Sequence, residues 1–190
     1  MQITRKEWPT PNQTGGMMLK TERLLLRGLE ITDLNEKYLQ WLNNPDINQY
    51  LETRFTAQTI NSIKRYWESH ESDSNSPWFA ICLRDEKRHI GNIKLGPINW
   101  VHRKADISLF IGERDCWGKG YASEAIEAMK DWAFSQLQLH KLSAGIYSSN
   151  AGSIKAFQKC GFIVEGRLQE EVIFNGCRED ILKMGIINQS

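Results

Sequence analysis

The chain changes hydrophobic period several times, and each change marks an element. Residues 19–29 (LKTERLLLRGL) form a strand-like run. From 32 to 45, Leu34, Tyr38, Trp41 and Leu42 recur at helical spacing, with Thr32 or Asp33 available as N-cap and Pro45 closing the helix. A second helix is predicted from about 56 to 70, with Ile60, Ile63 and Trp67 on one face, and the polar stretch 71–77 is a loop. Residues 78–83, 89–98 and 105–112 then have the length and turn-rich borders of successive strands. Ala122, Ala125, Ile126, Met129 and Ala133 form the apolar face of a helix over 120–136. A strand at 141–148 leads into a short helix that starts at Asn150 and stops at Gly161. The chain closes on a hairpin turning at Asn175-Gly176, a pair suited to a type I′ turn.

The order β-α-α-β-β-β-α-β-α-β-β predicts one α/β (α+β) domain over 19–188, with no repeat and no room for a second. Residues 1–18, with Pro9, Pro11, Gly15 and Gly16, offer no periodic apolar face and read as a flexible tail.

Composition narrows the class. With 41% hydrophobic and 25% charged residues and a net charge of +1, the 190-residue chain reads as a soluble globular protein, with neither a nucleic acid nor a membrane as partner. The first residues lack the apolar core of a signal peptide, so a cytoplasmic location is expected. Cys82, Cys116, Cys160 and Cys177 have no metal-ligand spacing, and no metal is expected.

The candidate chemistry lies in SLFIGERDCWGKGYASEAIEAM. A strand ends at Gly112, a short loop carries Gly118 and Gly120, and an amphipathic helix starts at once. Glycines allow close backbone approach, and the free N–H groups of a helix start form an anion site suited to a pyrophosphate. Lys119 adds a positive charge. The loop is neither a GxxxxGK[ST] nor a GxGxxG phosphate motif. A tight strand-to-helix turn is the plainer reading of the same glycines.

A second segment, NAGSIKAFQKCGF, follows at the next strand-to-helix junction. Together the two motifs resemble the GNAT superfamily of N-acetyltransferases over most of the chain. The resemblance implies a single mixed, mostly antiparallel sheet splayed at its centre, with helices on both faces, and acetyl-CoA as co-substrate. It implies that backbone amides from Trp117 through Gly118, Lys119, Gly120, Tyr121 and Ala122 hold the pyrophosphate. Asn150, Ser153 and Phe157 would meet the pantetheine arm, and an amide near Phe110 or Ile111 would polarise the thioester carbonyl.

The family mechanism is direct attack of a neutral amine on the thioester, which needs a base and a proton donor. Phe157 stands where the family often has a tyrosine acid, so Tyr147, a serine such as Ser148, or water is left to serve. Asp115 stands where Gln or Arg is commonest, with Arg114 one residue early. Asp106 and Ser108, on one face of the strand entering the loop, are the candidate bases. A structural ion pair of Asp106 with Arg103 or Lys104 is the alternative, and Glu113 is a further candidate. Cys116, beside a helix start that stabilises thiolates, is a remote nucleophile candidate. Trp100 and Trp117, in loops, are candidates for lining a cleft.

The runs LxTERLLLR, HRKADI, LHKL and NGCREDILKM resemble the branch containing ribosomal-protein alanine, spermidine and amino-sugar nucleotide acetyltransferases. The acceptor is therefore a small-molecule or peptide amine. Trp100, His102, Arg103 and Lys104 suit a nucleotide sugar, so that class and a protein α-amine rank ahead of a polyamine. A catalytically silent CoA-binding module is the remaining reading. The final hairpin offers an edge for homodimer pairing.

Overall fold

The computed structural model describes residues 18–71, 73 and 75–189. The reading of the first residues as a tail falls outside the described residues, apart from Met18, which opens the sheet. The run over 19–29 is not one strand. β1 (Met18–Lys20) and β2 (Leu24–Gly28) fold back on each other, with Leu19 opposite Leu26. Thr21 makes the turn, its hydroxyl accepting the Leu24 amide at 2.8 Å. Such local side-chain bonding competes with a continuous ladder.

α1 (Glu36–Asn43) starts later than predicted, because its cap is Asn35, which accepts the amides of Lys37 and Tyr38. Asp33 is unavailable as that cap: it is buried and bonded through both oxygens to Arg27 at 2.7 Å. Pro45 opens the short α2 (Pro45–Asn48), and a one-turn 3-10 helix, Glu52–Phe55, follows. α3 (Ile60–Glu71) begins at 60 rather than 56, where Thr59 and Ser62 exchange side-chain and backbone hydrogen bonds across the first turn.

The remaining elements fall close to the sequence reading: β3 (Trp78–Leu83), β4 (His89–Leu95), β5 (Lys104–Ile111), α4 (Tyr121–Ser135), β6 (Lys141–Tyr147), α5 (Ala151–Lys159), β7 (Ile163–Phe174) and β8 (Cys177–Ile187). Asn175 and Gly176 both have positive φ, as a type I′ turn requires.

The strands form one eight-stranded sheet in the order β1-β2-β3-β4-β5-β6-β8-β7. Only the β5–β6 pair is parallel. Alternation along β3 sends Phe79, Ile81 and Leu83 into a core shared with α4 and α5, and Ala80 and Cys82 into a second core beneath α1 and α3. Helices thus cover both faces. β7 is the outer edge, where Ile163, Val164, Leu168 and Ile173 are exposed.

One register detail creates the site. β5 and β6 pair only over Lys104–Asp106 against Lys141–Ser143. Beyond that point the two strands part, and the sheet opens at its centre.

Candidate active site

A cavity of about 540 Å³ fills the opening, with Ile107–Ile111 on one wall and Ala144–Tyr147 on the other. Alternate N–H groups of a strand point to opposite edges. On β5 one set faces β4, and past Asp106 the other set meets no strand. The second set, that of Ile107, Leu109 and Ile111, is placed to donate to a bound carbonyl. The Phe110 amide, expected to share the role with Ile111, faces β4 instead, in phase with the Gly112 amide that bonds the Ile90 carbonyl.

At one end the cavity reaches the glycine loop. Gly118 (φ 72°) and Gly120 (φ 84°) are both left-handed, and Gly120 precedes α4 with no side chain capping the helix. The first helical bond runs from the Glu124 amide to the Gly120 carbonyl, so the amides of Tyr121, Ala122 and Ser123 leave the helix unpaired. A Cβ built on Gly118 would meet nothing within 4 Å. The space beside that backbone is open, which suits an anionic group lying against the helix start. Trp117 folds the loop back by donating its indole N–H to the Ile111 carbonyl at 2.8 Å.

Lys119 is not part of the cavity wall. Its carbonyl is held instead by Arg23 at 2.9 Å, and a Cβ on Gly120 would lie 3.5 Å from the Arg23 guanidinium. Arg23, itself outside the cavity wall and paired with Glu124, therefore braces this turn. The sequence reading quoted it only within the LxTERLLLR run.

Asn150 caps α5 by accepting the Ser153 amide at 3.1 Å, and both residues line the cavity. Phe157 also lines it but is packed into the core, edge-on to Phe162 at 5.0 Å.

The same-face pair Asp106 and Ser108 is separated by the splay. Ser108 is in the cavity wall, whereas Asp106 lies at the closed end, bonded by the Ser143 hydroxyl rather than by Arg103 or Lys104. Glu113 is committed elsewhere, to Trp41 at 2.9 Å and Arg88 at 3.1 Å. Cys116 is buried, and burial, followed by the Asp115 charge, raises its thiol pKa, the reverse of activation. Trp100 donates to Asn75 at 2.7 Å and is not in the wall; Trp117 is.

The far end is built from residues between α2 and α3 together with the ends of β6 and β7. Tyr50 stacks on Phe174 at 5.0 Å and lies 5.6 Å from Tyr147. Tyr147 donates its hydroxyl to Glu52 at 2.6 Å and accepts from Arg54 at 2.7 Å. Burial raises its pKa, Glu52 adds to that, and Arg54 only partly offsets it. Glu179 accepts from the Ser149 amide at 2.6 Å and from the Ser148 and Ser149 hydroxyls.

These features form a splayed-sheet cleft with an anion site at one end and an aromatic, carboxylate-bearing mouth at the other. Residues 23–163 match the acetyltransferase (GNAT) domain family. The chain belongs to that family. A spermidine N(1)-acetyltransferase of Vibrio cholerae is 30% identical over 167 residues, covering 87% of this chain and 93% of the relative. A spermidine N(1)-acetyltransferase of Escherichia coli K12 is 32% identical over 163 residues, covering 85% and 84%. The crystal structure of the V. cholerae spermidine N-acetyltransferase in complex with CoA and spermine matches with a TM-score of 0.79 at 30% identity, covering 88% of this chain and 96% of that one.

This GNAT protein is thus an acetyl-CoA-dependent acetyltransferase, and the silent-module reading is set aside. Among the described residues there is no cluster able to hold a metal, and no helix is long and apolar enough to cross a membrane.

Proposed function

We propose that this GNAT enzyme acetylates a polyamine of the spermidine type. The sequence ranked amino-sugar nucleotides and protein α-amines ahead of polyamines, and the spermidine-acetylating relatives favour the class ranked third. The structural observation that carries the reading is the charge at the cavity mouth. Asp46 is paired with Arg114, and Glu52 with Arg54. Glu179 meets only neutral donors among the described residues, so it is a negative charge left for a cationic acceptor. The faces of Tyr50, Tyr147 and Phe174 beside it suit an ammonium as well.

In this reading the amides from Gly118 to Ala122 hold the pyrophosphate, with Arg23 fixing the turn; the Trp117 amide is already bonded to the Arg114 carbonyl at 3.1 Å. Asn150, Ser153 and Phe157 border the pantetheine arm. The free β5 amide of Ile111 polarises the thioester carbonyl. In the second reading the acceptor carries an anionic group, as an amino-sugar nucleotide does, although Arg54 is already bonded to the Leu51 and Ile173 carbonyls and to Tyr147. Thiol release from acetyl-CoA with spermidine, spermine, amino-sugar nucleotides and short peptides separates the two. Polyamines are expected to give the highest kcat/KM. Turnover confined to a nucleotide sugar or a peptide would overturn the polyamine assignment.

A further inference from the structure

The one-turn helix Glu52–Phe55 brings a linked trio to the cavity mouth. Arg54 donates to the Leu51 carbonyl at 2.9 Å, to the Ile173 carbonyl at 2.8 Å and to the Tyr147 hydroxyl at 2.7 Å. It thereby ties the turn, the β7–β8 hairpin and the end of β6 together, and its side chain is only 13% exposed. The Glu52 side chain is 73% exposed, facing the solvent from which an acceptor arrives. Tyr147 bridges the two environments. It is nearly buried, it lines the cavity wall that faces Ser108–Ile111, and its hydroxyl reaches Glu52. No proton donor is available at Phe157.

We propose that Glu52 and Tyr147 form a proton relay for acetyl transfer, with Arg54 as the residue that positions it. The relay rests on acetyl transfer itself and is independent of which amine is the acceptor. Glu52 takes one proton from the acceptor ammonium. The freed nitrogen lone pair forms the C–N bond to the thioester carbonyl carbon, and the C–S bond breaks with its electron pair left on sulfur. At rest Tyr147 directs its single O–H at the Glu52 carboxylate. Once protonated, Glu52 donates back to the Tyr147 oxygen, and the Tyr147 proton is free to pass to sulfur. Of the three ammonium protons, one has moved to sulfur through the relay, one leaves to water and one stays on the amide.

The charged and titratable groups around Tyr147 are Glu52 and Arg54 from the turn and Tyr50 just before it. The hairpin contributes the Phe174 ring and the Ile173 carbonyl, and Glu179 lies one turn further on, against Ser148 and Ser149. With burial and Glu52 both holding the phenol in its neutral form, Tyr147 keeps a proton to give at neutral pH.

The test measures kcat against pH, and acetyl-CoA affinity by calorimetry, for Y147F, E52Q and R54K, using whichever amine is turned over. For Y147F, kcat is expected to fall on the order of 100-fold with acetyl-CoA affinity changed less than about twofold. Wild type is expected to hold its kcat plateau past about pH 10, the ordinary tyrosine range. E52Q removes a group that keeps the phenol protonated, so its plateau should end at lower pH. R54K keeps the charge but loses the fork, and should retain more activity than Arg54→Ala. A Y147F enzyme within threefold of wild type, or one that loses acetyl-CoA binding in parallel with kcat, would overturn the relay. So would an E52Q profile with an unmoved basic limb, a readout that survives even if Y147F fails to fold. Failure of every polyamine with turnover of another amine would sink only the acceptor assignment.

Discussion

Arg23 and Glu124 lie 101 positions apart in the chain and meet through two contacts: the Arg23 amide reaches one carboxylate oxygen at 2.8 Å and its guanidinium the other at 2.7 Å. The same guanidinium holds the Lys119 carbonyl and stacks over the Tyr121 ring at 4.6 Å. One side chain from just before β2 therefore fixes the glycine turn and the first turn of α4. Arg23→Ala is expected to weaken acetyl-CoA binding about tenfold, the worth of one charge-assisted hydrogen bond. Acceptor KM should barely change. Calorimetry with acetyl-CoA checks this, and undiminished affinity would remove Arg23 from the site.

Gly118 tests the open backbone directly. Its left-handed φ makes a side chain strained, and its Cβ would project into free space. Gly118→Val should lower stability by roughly 1–2 kcal/mol yet weaken acetyl-CoA binding far more than that strain implies. Thermal melts and calorimetry on the same sample separate the two effects.

Restoring a phenol at position 157 offers a different kind of check. Phe157 is packed against Phe162 in the core, so Phe157→Tyr places a hydroxyl in an apolar setting. A loss of about 1–3 kcal/mol in stability is expected, with kcat within a few-fold of wild type. A large gain in kcat would mean that the native enzyme lacks a proton donor.

Glu179→Gln should raise KM for spermidine several-fold and leave kcat nearly unchanged, because the carboxylate sits at the mouth and not at the thioester. The wild-type kcat/KM for spermidine should also fall as salt is raised, since screening weakens attraction of a polycation. Insensitivity to both changes would count against a cationic acceptor.

Away from the cavity, Asp33 controls acid stability. Burial works against its charge, but the Arg27 fork and the Glu30 amide outweigh burial and hold the carboxyl below its ordinary pKa. A depressed folded-state value stabilises the protein above the unfolded pKa, and that contribution is lost as pH falls through the folded one. Asp33→Asn should cost about 3 kcal/mol at neutral pH by removing the carboxylate that receives both arms of the Arg27 fork. The gap from wild type should narrow below about pH 4. Urea melts across that range measure it.

The amino-acid sequence by itself determined the elements whose signals are local. Helical spacing placed α4, Asn150 and Gly161 bounded α5, Asn175-Gly176 turned the last hairpin, and Gly118 with Gly120 marked the left-handed loop before α4. Backbone chemistry is written in such neighbours, so the glycine loop and its helix were legible together. What needed contacts between distant segments was not. Asp33 looked like a helix cap because the pairing with Arg27, only six residues upstream, depends on how the chain bends after β2. Asp106 and Ser108 looked equivalent because strand alternation cannot reveal that β6 leaves β5 between them. Glu52 and Arg54 had no role legible in the sequence because their partners, Tyr147 and Ile173, arrive from about a hundred residues away. Only the tertiary structure decided those roles, since hydrogen bonding and charge pairing act over a few ångströms of space whatever the separation along the chain.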